Sequence, residues 1–270
     1  MMKDRVLPFT SIENGVIHKL SDDVFSITTK IVNVIVIVKD STFVLVDTGF
    51  PDTYDLLVSK INDITKGKEL ESIILTHGHF DHVGNIDKFL STKPSKVYAH
   101  NDEFPYLDGT KDYPKPDGSV EGGLVAKISP TFPNEGINIK EYLYSLEKDG
   151  TVPTLPEWKW FATPGHTSGH ISLYREKDGL LIAGDAFVTV RQDSLYKVFV
   201  QDTEVNGPPR YFTEDWAKAE QSVILLESLK PKKVITGHGN PMESEALSKE
   251  LAYLAHHFKE IAKPDYGKFV

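Results

Sequence analysis

The sequence contains no cysteine among its 270 residues. This absence excludes disulfide bonds, thiolate metal ligands and a cysteine nucleophile. The chain also has no apolar run long enough to cross a bilayer, and its first nine residues lack an apolar stretch of secretory length. We therefore expect a soluble, cytoplasmic protein that makes no contact with a membrane.

Dense clusters of lysine and arginine are missing as well. The net charge is −9 and the isoelectric point is about 5.6. A nucleic-acid-binding protein needs basic patches to meet phosphate, so this class is excluded. The hydrophobic content of 40% and the charged content of 26% are ordinary for a soluble globular protein.

The first half of the chain alternates between strand-like and helix-like patterns. Short Val- and Ile-rich runs separated by turn residues predict an antiparallel meander, and Leu and Ile at helical spacing predict a helix over residues 54–65. The predicted strands of this half are residues 16–20, 24–28, 32–39, 43–46, 73–75 and 97–99. Two of the runs in the meander are apolar enough to be buried on both faces.

The second half repeats this alternation after an irregular segment. Its predicted strands are residues 171–175, 180–183 and 234–236, and its predicted helices are residues 214–229, with Thr213 as the N-cap, and residues 243–261. Residues 104–156, which are rich in Pro, Gly, Asp and Tyr, and residues 188–212 are predicted to be irregular. Long segments of this kind in a domain are typical of lids and binding loops.

Residues 76–82 place several possible metal ligands at one strand-to-helix corner. They follow the apolar strand-like residues 72–75 and carry His77, His79, Asp81 and His82. Imidazole suits Zn, Fe and Ni, and a carboxylate adds a harder oxygen ligand, so the composition indicates a metal site. Scattered surface histidines would be the alternative, but a solvated loop has no reason to concentrate imidazoles in this way.

Five polar residues share a position just beyond the end of an apolar strand. They are Asp47, His77, His166, Asp185 and His238, each near a glycine or a proline. Any one of them could be an ordinary turn residue. Because the strands of a sheet hold their end loops rigidly, the recurrence indicates a site assembled at one sheet edge.

At this point the sequence resembles the metallo-β-lactamase superfamily. The matching segments, in order, are residues 47–49, 76–82, 164–167, 184–185 and 237–239. The resemblance implies an α/β fold, an αββα sandwich of two mixed β-sheets flanked by helices. It also implies a single domain over residues 1–270, with loop insertions at about residues 104–156 and 188–212, in which residues 1–147 and 156–270 are paired β/α units.

The resemblance also implies a ligand set for two divalent metal ions. The first ion would be held by His77, His79 and His166, the second by Asp81, His82 and His238, with Asp185 between the two and Asp47 orienting the site without binding metal. We expect zinc, with iron or manganese as alternatives, because all the ligands offer nitrogen or oxygen. The β-lactam-hydrolysing members with a cysteine ligand are not matched, since the chain has no cysteine.

Such a centre predicts hydrolysis of a small-molecule ester, lactone or thioester. Two ions about 3.5–4 Å apart can share a water and lower its pKa to about 7, so that a metal-bound hydroxide attacks the carbonyl carbon. Asp81 could also pass a proton to the leaving group, although the ligand role is favoured. The alternatives are a mononuclear iron redox enzyme similar to persulfide dioxygenases and a β-lactamase-like amide hydrolase.

The segments that flank the motifs should determine the substrate. The candidate pocket residues are Tyr113, Tyr196, Arg210 and Tyr211. Arg210 could meet a substrate carboxylate, or it could be a solvated surface residue, which is the favoured interpretation. Lactonases of the superfamily carry a tyrosine closer to the bridging aspartate, where this chain has Val188. A structural role is expected for His170, and the closing helix could support a homodimer.

Overall fold

The first half of the described chain forms a seven-stranded mixed sheet. The computed structural model describes residues 10–270, so the first nine residues of the predicted domain lie outside the described part. The strands of this sheet lie in chain order: β1 Ile17–Lys19, β2 Val24–Thr29, β3 Val32–Val38, β4 Thr42–Val46, β5 Glu69–Ile74, β6 Lys96–Ala99 and β7 Leu143–Ser145. Strands β1 to β4 pair antiparallel through short turns, and β4 to β7 pair parallel through longer crossovers.

The second half forms a five-stranded sheet of order β14-β13-β10-β9-β8. Its strands are β8 Trp158–Ala162, β9 Ile171–Arg175, β10 Leu180–Gly184, β13 Lys233–Thr236 and β14 Met242–Glu243. Strands β10 and β13 pair parallel, and the other pairs are antiparallel. A separate two-stranded ribbon is formed by β11 Val188–Val190 and β12 Thr203–Asn206.

Helices connect the strands and cover the sheets. They are α1 Tyr54–Thr65, α2 Ile86–Thr92, α3 Phe104–Leu107, α4 Gly123–Ile128, α5 Leu195–Val200, α6 Trp216–Ser228, α7 Ser244–His256 and α8 Phe258–Ile261. Within residues 10–270, none of them has the length and apolar character that crossing a membrane would require.

Side-chain alternation in the strands produces the four layers. In β3, Val34 and Val36 pack against the layer of α1 and α2, whereas Ile35 and Ile37 face the second sheet. Strand β10 alternates in the same way. Its even-numbered residues face the space between the sheets, and its odd-numbered residues face the layer of α6, α7 and α8. The predicted sandwich of two mixed sheets flanked by helices is confirmed.

Helix boundaries in the second half differ from the sequence expectations. The N-cap of α6 is Asp215 rather than Thr213, because the Asp215 side chain accepts a hydrogen bond from Lys218 N, while the Thr213 hydroxyl donates to Pro209 O. The closing helix is interrupted at His257, whose backbone is not helical. The break directs the buried Phe258 toward Trp216, at 6.2 Å between ring centroids.

The two segments expected to be irregular carry ordered elements. Residues 104–156 contain α3, α4 and the edge strand β7, and residues 188–212 contain the β11–β12 ribbon and α5. Strand β7 pairs with β6 over three residues, so part of the first segment completes the first sheet.

Candidate metal centre

The predicted site residues meet where the ends of parallel strands from both sheets come together. Asp47 directly follows β4 and His77 lies just beyond β5, while Asp185 directly follows β10 and His238 lies just beyond β13. Because β4 pairs parallel with β5, and β10 with β13, each pair of loops leaves the same edge of its sheet. His166 joins them from the connection between β8 and β9.

Asn33 links the two sheets behind this edge. Its side-chain amide donates to Thr236 O at 3.0 Å and to Gly239 O at 2.7 Å, on either side of His238. Its backbone N–H donates to Gly237 O at 2.8 Å. Asn33 is buried in β3, so the first sheet holds the His238 loop of the second sheet through direct hydrogen bonds.

Three buried histidines present ring nitrogens to one point. His77 Nε2 lies 3.0 Å from His79 Nδ1, and His79 Nδ1 lies 3.0 Å from His166 Nε2. The three ligand-type atoms lie within 4.8 Å of one another. This is the arrangement needed for three imidazoles to share one cation.

Asp81, His82 and His238 form a second group, and Asp185 lies between the groups. Asp185 Oδ2 is 3.5 Å from His166 Nε2 and 3.2 Å from His238 Nε2, while Asp185 Oδ1 is 3.6 Å from His82 Nε2. Asp81 Oδ2 is 3.5 Å from His238 Nε2. A single carboxylate therefore faces ligand nitrogens of both groups.

Hydrogen bonds on the outer side of the rings determine which nitrogen faces the site. His238 Nδ1 lies 3.0 Å from Ile31 O, and His82 Nδ1 lies 2.8 Å from Asp47 Oδ2. A carbonyl or carboxylate oxygen only accepts, so each Nδ1 donates a proton to its partner and the opposite Nε2 faces the site. Asp47 also accepts from Thr76 N and Thr76 Oγ1, which holds the start of the histidine loop.

The donor atoms fit divalent metal ions. His82 Nε2 and Asp185 Oδ1 are buried and have no hydrogen-bond partner among the described residues. The two atoms lie 3.6 Å apart, and buried polar atoms rarely remain unpaired. A metal ion between them would satisfy both atoms.

Electrostatics separates the two groups. Burial lowers the pKa of His77 and His79 well below the ordinary value and that of His166 to about 3, so these rings stay neutral. Burial also disfavours charge on His82 and His238, but Asp185 and the neighbouring carboxylates outweigh it and raise both pKa values. The second group therefore favours positive charge at its centre, which a divalent cation supplies.

Two glycines allow the loops to approach each other. A Cβ at Gly237 would collide with Asp185 Oδ1 and lie 2.8 Å from His82 Cε1. A Cβ at Gly78 would lie 2.6 Å from the Tyr113 hydroxyl. Real Cβ atoms do not come this close to other heavy atoms, so any larger residue would push the ligand loops apart.

Glu103 joins two ligand loops from a buried position that the sequence did not reveal. Its Oε1 accepts from Thr167 Oγ1 at 2.6 Å and from Gly169 N at 3.0 Å, next to His166. Its Oε2 accepts from Gly78 N at 3.0 Å, between His77 and His79, and from the Tyr113 hydroxyl. Nothing in the local sequence around Glu103 distinguishes it from the adjacent acidic residue Asp102.

A cavity of about 30 Å³ adjoins the metal groups. His79, Asp81, Asp185 and His238 line it on one side, and the other walls are mainly apolar. The space is enough for one or two water molecules, since one water needs at least about 10–15 Å³.

Of the four predicted pocket residues, the structure brings only Tyr211 to this cavity. Tyr196 is 74% exposed, because Leu195 and Val198 face inward and helical spacing then directs Tyr196 to solvent. Arg210 lies outside, where it pairs with Glu121 at 3.2 Å. Tyr113 packs behind His79 at 4.6 Å between ring centroids, and its hydroxyl is engaged by Glu103. These positions correct the expectation for Tyr113, Tyr196 and Arg210.

His170 has the structural role expected for it. Its Nε2 accepts from Asp185 N at 2.8 Å and its Nδ1 contacts Thr163 Oγ1 at 2.8 Å. The ring thus fixes the backbone that carries Asp185.

The sequence carried a signal for Asn33, since a polar residue within an apolar strand indicates a buried hydrogen-bonding role. It carried no signal for Gln192, which lines the cavity.

Comparison with known proteins identifies the family. The sequence profile of the metallo-beta-lactamase superfamily matches residues 27–238, which includes every predicted ligand. The chain belongs to the metallo-β-lactamase superfamily.

Two of the named relatives of this superfamily member come from Bacillus subtilis. The chain is 42% identical to the probable metallo-hydrolase YflN over 264 residues, which cover 96% of this chain and all of that protein. It is 28% identical to the probable metallo-hydrolase YybB, over 72% of this chain and 74% of that protein.

Solved structures of the superfamily share the fold. The metallo-beta-lactamase family protein TTHA1429 of Thermus thermophilus superimposes with a TM-score of 0.60 at 18% identity, covering 89% of this chain and 81% of that one. At this identity the likeness concerns the metallo-β-lactamase fold alone.

Proposed function

We propose that this protein is a dimetal hydrolase, with zinc as its metal, that cleaves an ester, lactone or thioester of a small molecule. The observation that supports this most directly is the position of Asp185, whose two oxygens face ligand nitrogens of both histidine groups. Membership of the superfamily and the relatives named probable metallo-hydrolases also support hydrolysis.

In this proposal, some side chains bind the metal ions and others orient those ligands. His77, His79 and His166 would hold one ion, and Asp81, His82 and His238 the other, with Asp185 shared. When bound, the two ions supply an acidified water for attack and positive charge beside the carbonyl oxygen. Asp47 and the Ile31 carbonyl keep His82 and His238 in the tautomer that binds metal.

Asp81 is placed to serve as a ligand of the second ion. Its carboxylate lies 3.5 Å from His238 Nε2 and lines the cavity. Burial raises its pKa even though His82 and His238 act in the opposite direction. Because Asp81 also lines the cavity, a second role in this proposal is to pass a proton to the leaving group.

The test combines metal analysis with an ester, lactone and thioester panel. We expect two zinc ions per chain and turnover of at least one class. Asp185→Ala should remove metal and lower kcat/KM by more than about 100-fold, the upper end for loss of a mere orienting partner. His100→Ala changes a histidine outside both groups. This variant should retain the metal content and the kcat/KM of the wild type.

One result would replace the proposal with the redox alternative. A single iron per chain, oxygen consumption and no hydrolysis at full metal loading would favour the persulfide dioxygenase-like activity. Full hydrolytic activity of a metal-free sample would reject both the dimetal hydrolase and the iron-dependent redox enzyme.

A further inference from the structure

Gln192 lines the cavity beside the metal groups and carries a buried side-chain amide without a partner for its nitrogen. The residue is only 6% exposed, and its Nε2 has no hydrogen-bond partner among residues 10–270. The ion pair between its neighbours, Arg191 Nε and Asp193 Oδ1 at 2.7 Å, holds the turn that carries it. Because buried polar groups almost always have a partner, the unpaired donor indicates that a ligand supplies the acceptor.

The other walls of the cavity define the ligand further. Most of them are apolar, and they include Phe50, Phe80, Phe132, Leu195, Val198 and Phe212. Among the described residues, no lysine or arginine lines the cavity. A charged group on the ligand would therefore be buried without an opposite charge, except at the metal groups themselves.

We propose that Gln192 is a specificity-determining residue whose Nε2 donates a hydrogen bond to an uncharged oxygen in the apolar part of the substrate. The substrate class is then an uncharged ester, lactone or thioester that carries a second acceptor, such as an ether, ketone or amide oxygen. This inference rests on the proposed hydrolytic function. One water supplies OH to the acyl carbon and H to the leaving oxygen or sulfur, and no other reactant is needed.

A matched series of ethyl esters tests the role of Gln192 in the metal-loaded enzyme. Each ester has the same chain length, with an ether oxygen at successive positions or with methylene groups throughout. The wild type should prefer one oxygen-containing ester at least tenfold in kcat/KM. Gln192→Met keeps the size of the side chain without the donor, and it should remove this preference by lowering kcat/KM on the preferred ester more than on the all-methylene ester.

Gln201→Met provides the matched control. Gln201 is a second buried glutamine of the same segment, but its Nε2 donates to Val198 O at 2.6 Å. This variant should retain the oxygen preference. An unchanged preference in Gln192→Met, or an equal loss on all esters, would overturn the role of Gln192.

Binding to the metal-free protein gives a readout independent of turnover. Hexanamide, an uncharged carbonyl compound, should bind at least tenfold more weakly to Gln192→Met than to the wild type in calorimetry, and equal binding would overturn the proposal. Inertness toward the whole ester, lactone and thioester panel at full metal loading would reject the hydrolytic function. Turnover with an oxygen preference that does not depend on Gln192 would reject only the role of Gln192.

Discussion

At the scale of single residues, the centre depends on groups that do not bind metal themselves. Asp47 and the Ile31 carbonyl each accept from a ring nitrogen, and this contact aims the opposite nitrogen at the site. The Thr76 hydroxyl, which donates to Asp47, lies 3.1 Å from His77 Nδ1 and can accept its proton. Orienting partners of this kind set both the tautomer and the angle of a metal-binding imidazole.

The dependence of the metal centre on residues that do not bind metal can be measured most directly at Glu103. Glu103→Gln replaces one of two acceptor oxygens with a donor that faces other donors. We expect the free energy of unfolding to fall by about 1–3 kcal/mol, the range for a buried group left unsatisfied. Metal affinity should fall about 10–100-fold, because two ligand loops lose a shared anchor. Denaturant unfolding and a metal titration measure the two effects.

The control for this change is Glu141→Gln, the same substitution at an exposed glutamate. It should leave both unfolding and metal affinity unchanged. If Glu103→Gln lowered stability but bound metal as tightly as the wild type, Glu103 would be a core residue without influence on the ligand loops.

At the scale of elements, strand ends supply the ligands and the two long segments supply the cavity walls. Residues 104–156 contribute Val125 and Phe132, while residues 188–212 contribute Gln192 and the inward face of α5. The sheets hold the ligands rigidly, whereas the short helices α4 and α5 contribute part of the walls. Variation in these segments can therefore change the substrate without disturbing the metal ligands.

Helix α6 provides a prediction at this scale. Asp215→Ala removes the side-chain acceptor for Lys218 N, which lies 3.0 Å away. The free energy of unfolding should decrease by about 1 kcal/mol, the usual cost of losing an N-cap. Asp215→Asn keeps an acceptor at the same place and should recover most of this loss in the same denaturant experiment. Equal stability of Asp215→Ala and the wild type would show that the cap contributes nothing.

At the scale of the whole molecule, the site exists only if the two sheets keep their positions relative to each other. Asn33 ties them at the metal edge, and Arg175 ties them at the opposite ends of the strands. The Arg175 guanidinium is buried and pairs with Asp23 of the first half at 2.6 Å and with Asp178 of the second at 2.7 Å. Its guanidinium also lies over Trp158, 4.9 Å from the ring centroid.

Arg175→Met should weaken the joint between the halves. We expect a loss of about 3 kcal/mol in the free energy of unfolding, the lower end for breaking a buried pair, because Asp23 remains 36% exposed. Lys177→Met, which breaks the exposed pair with Glu157, should cost less than about 1 kcal/mol. Urea unfolding of both variants measures the difference.

The effect of Arg175→Met should depend on pH. Burial alone would raise the pKa of Asp23, but hydrogen bonds from Arg175 and Ser21 hold it below its ordinary value. A carboxylate with a lowered folded pKa stabilises the protein above its unfolded pKa of about 3.9 and loses this effect as the pH falls through the folded value. The gap between wild type and variant should therefore narrow from about pH 6 to about pH 3, and a constant gap would contradict this origin.

The sequence by itself determined the fold family and the candidate ligands. Residues 76–82 carry four of the seven within one loop, and the others stand beside glycines at strand ends, so local patterns were sufficient to find them. Continuous apolar runs likewise predicted which strands are buried on both faces. These features are local, because ligand chemistry and apolar runs are properties of adjacent residues. The fold and the superfamily are confirmed, whereas the metal assignment stays a prediction.

Only the tertiary structure decided which residues hold those ligands and which face the substrate. The contact of Glu103 with Thr167 spans 64 positions, and that of Asn33 with Thr236 spans 203. Tyr196 and Tyr211 were both candidate pocket residues, yet the turn of α5 exposes the first and the cavity buries the second. Such contacts depend on how distant segments pack, and no local pattern of residues encodes that packing.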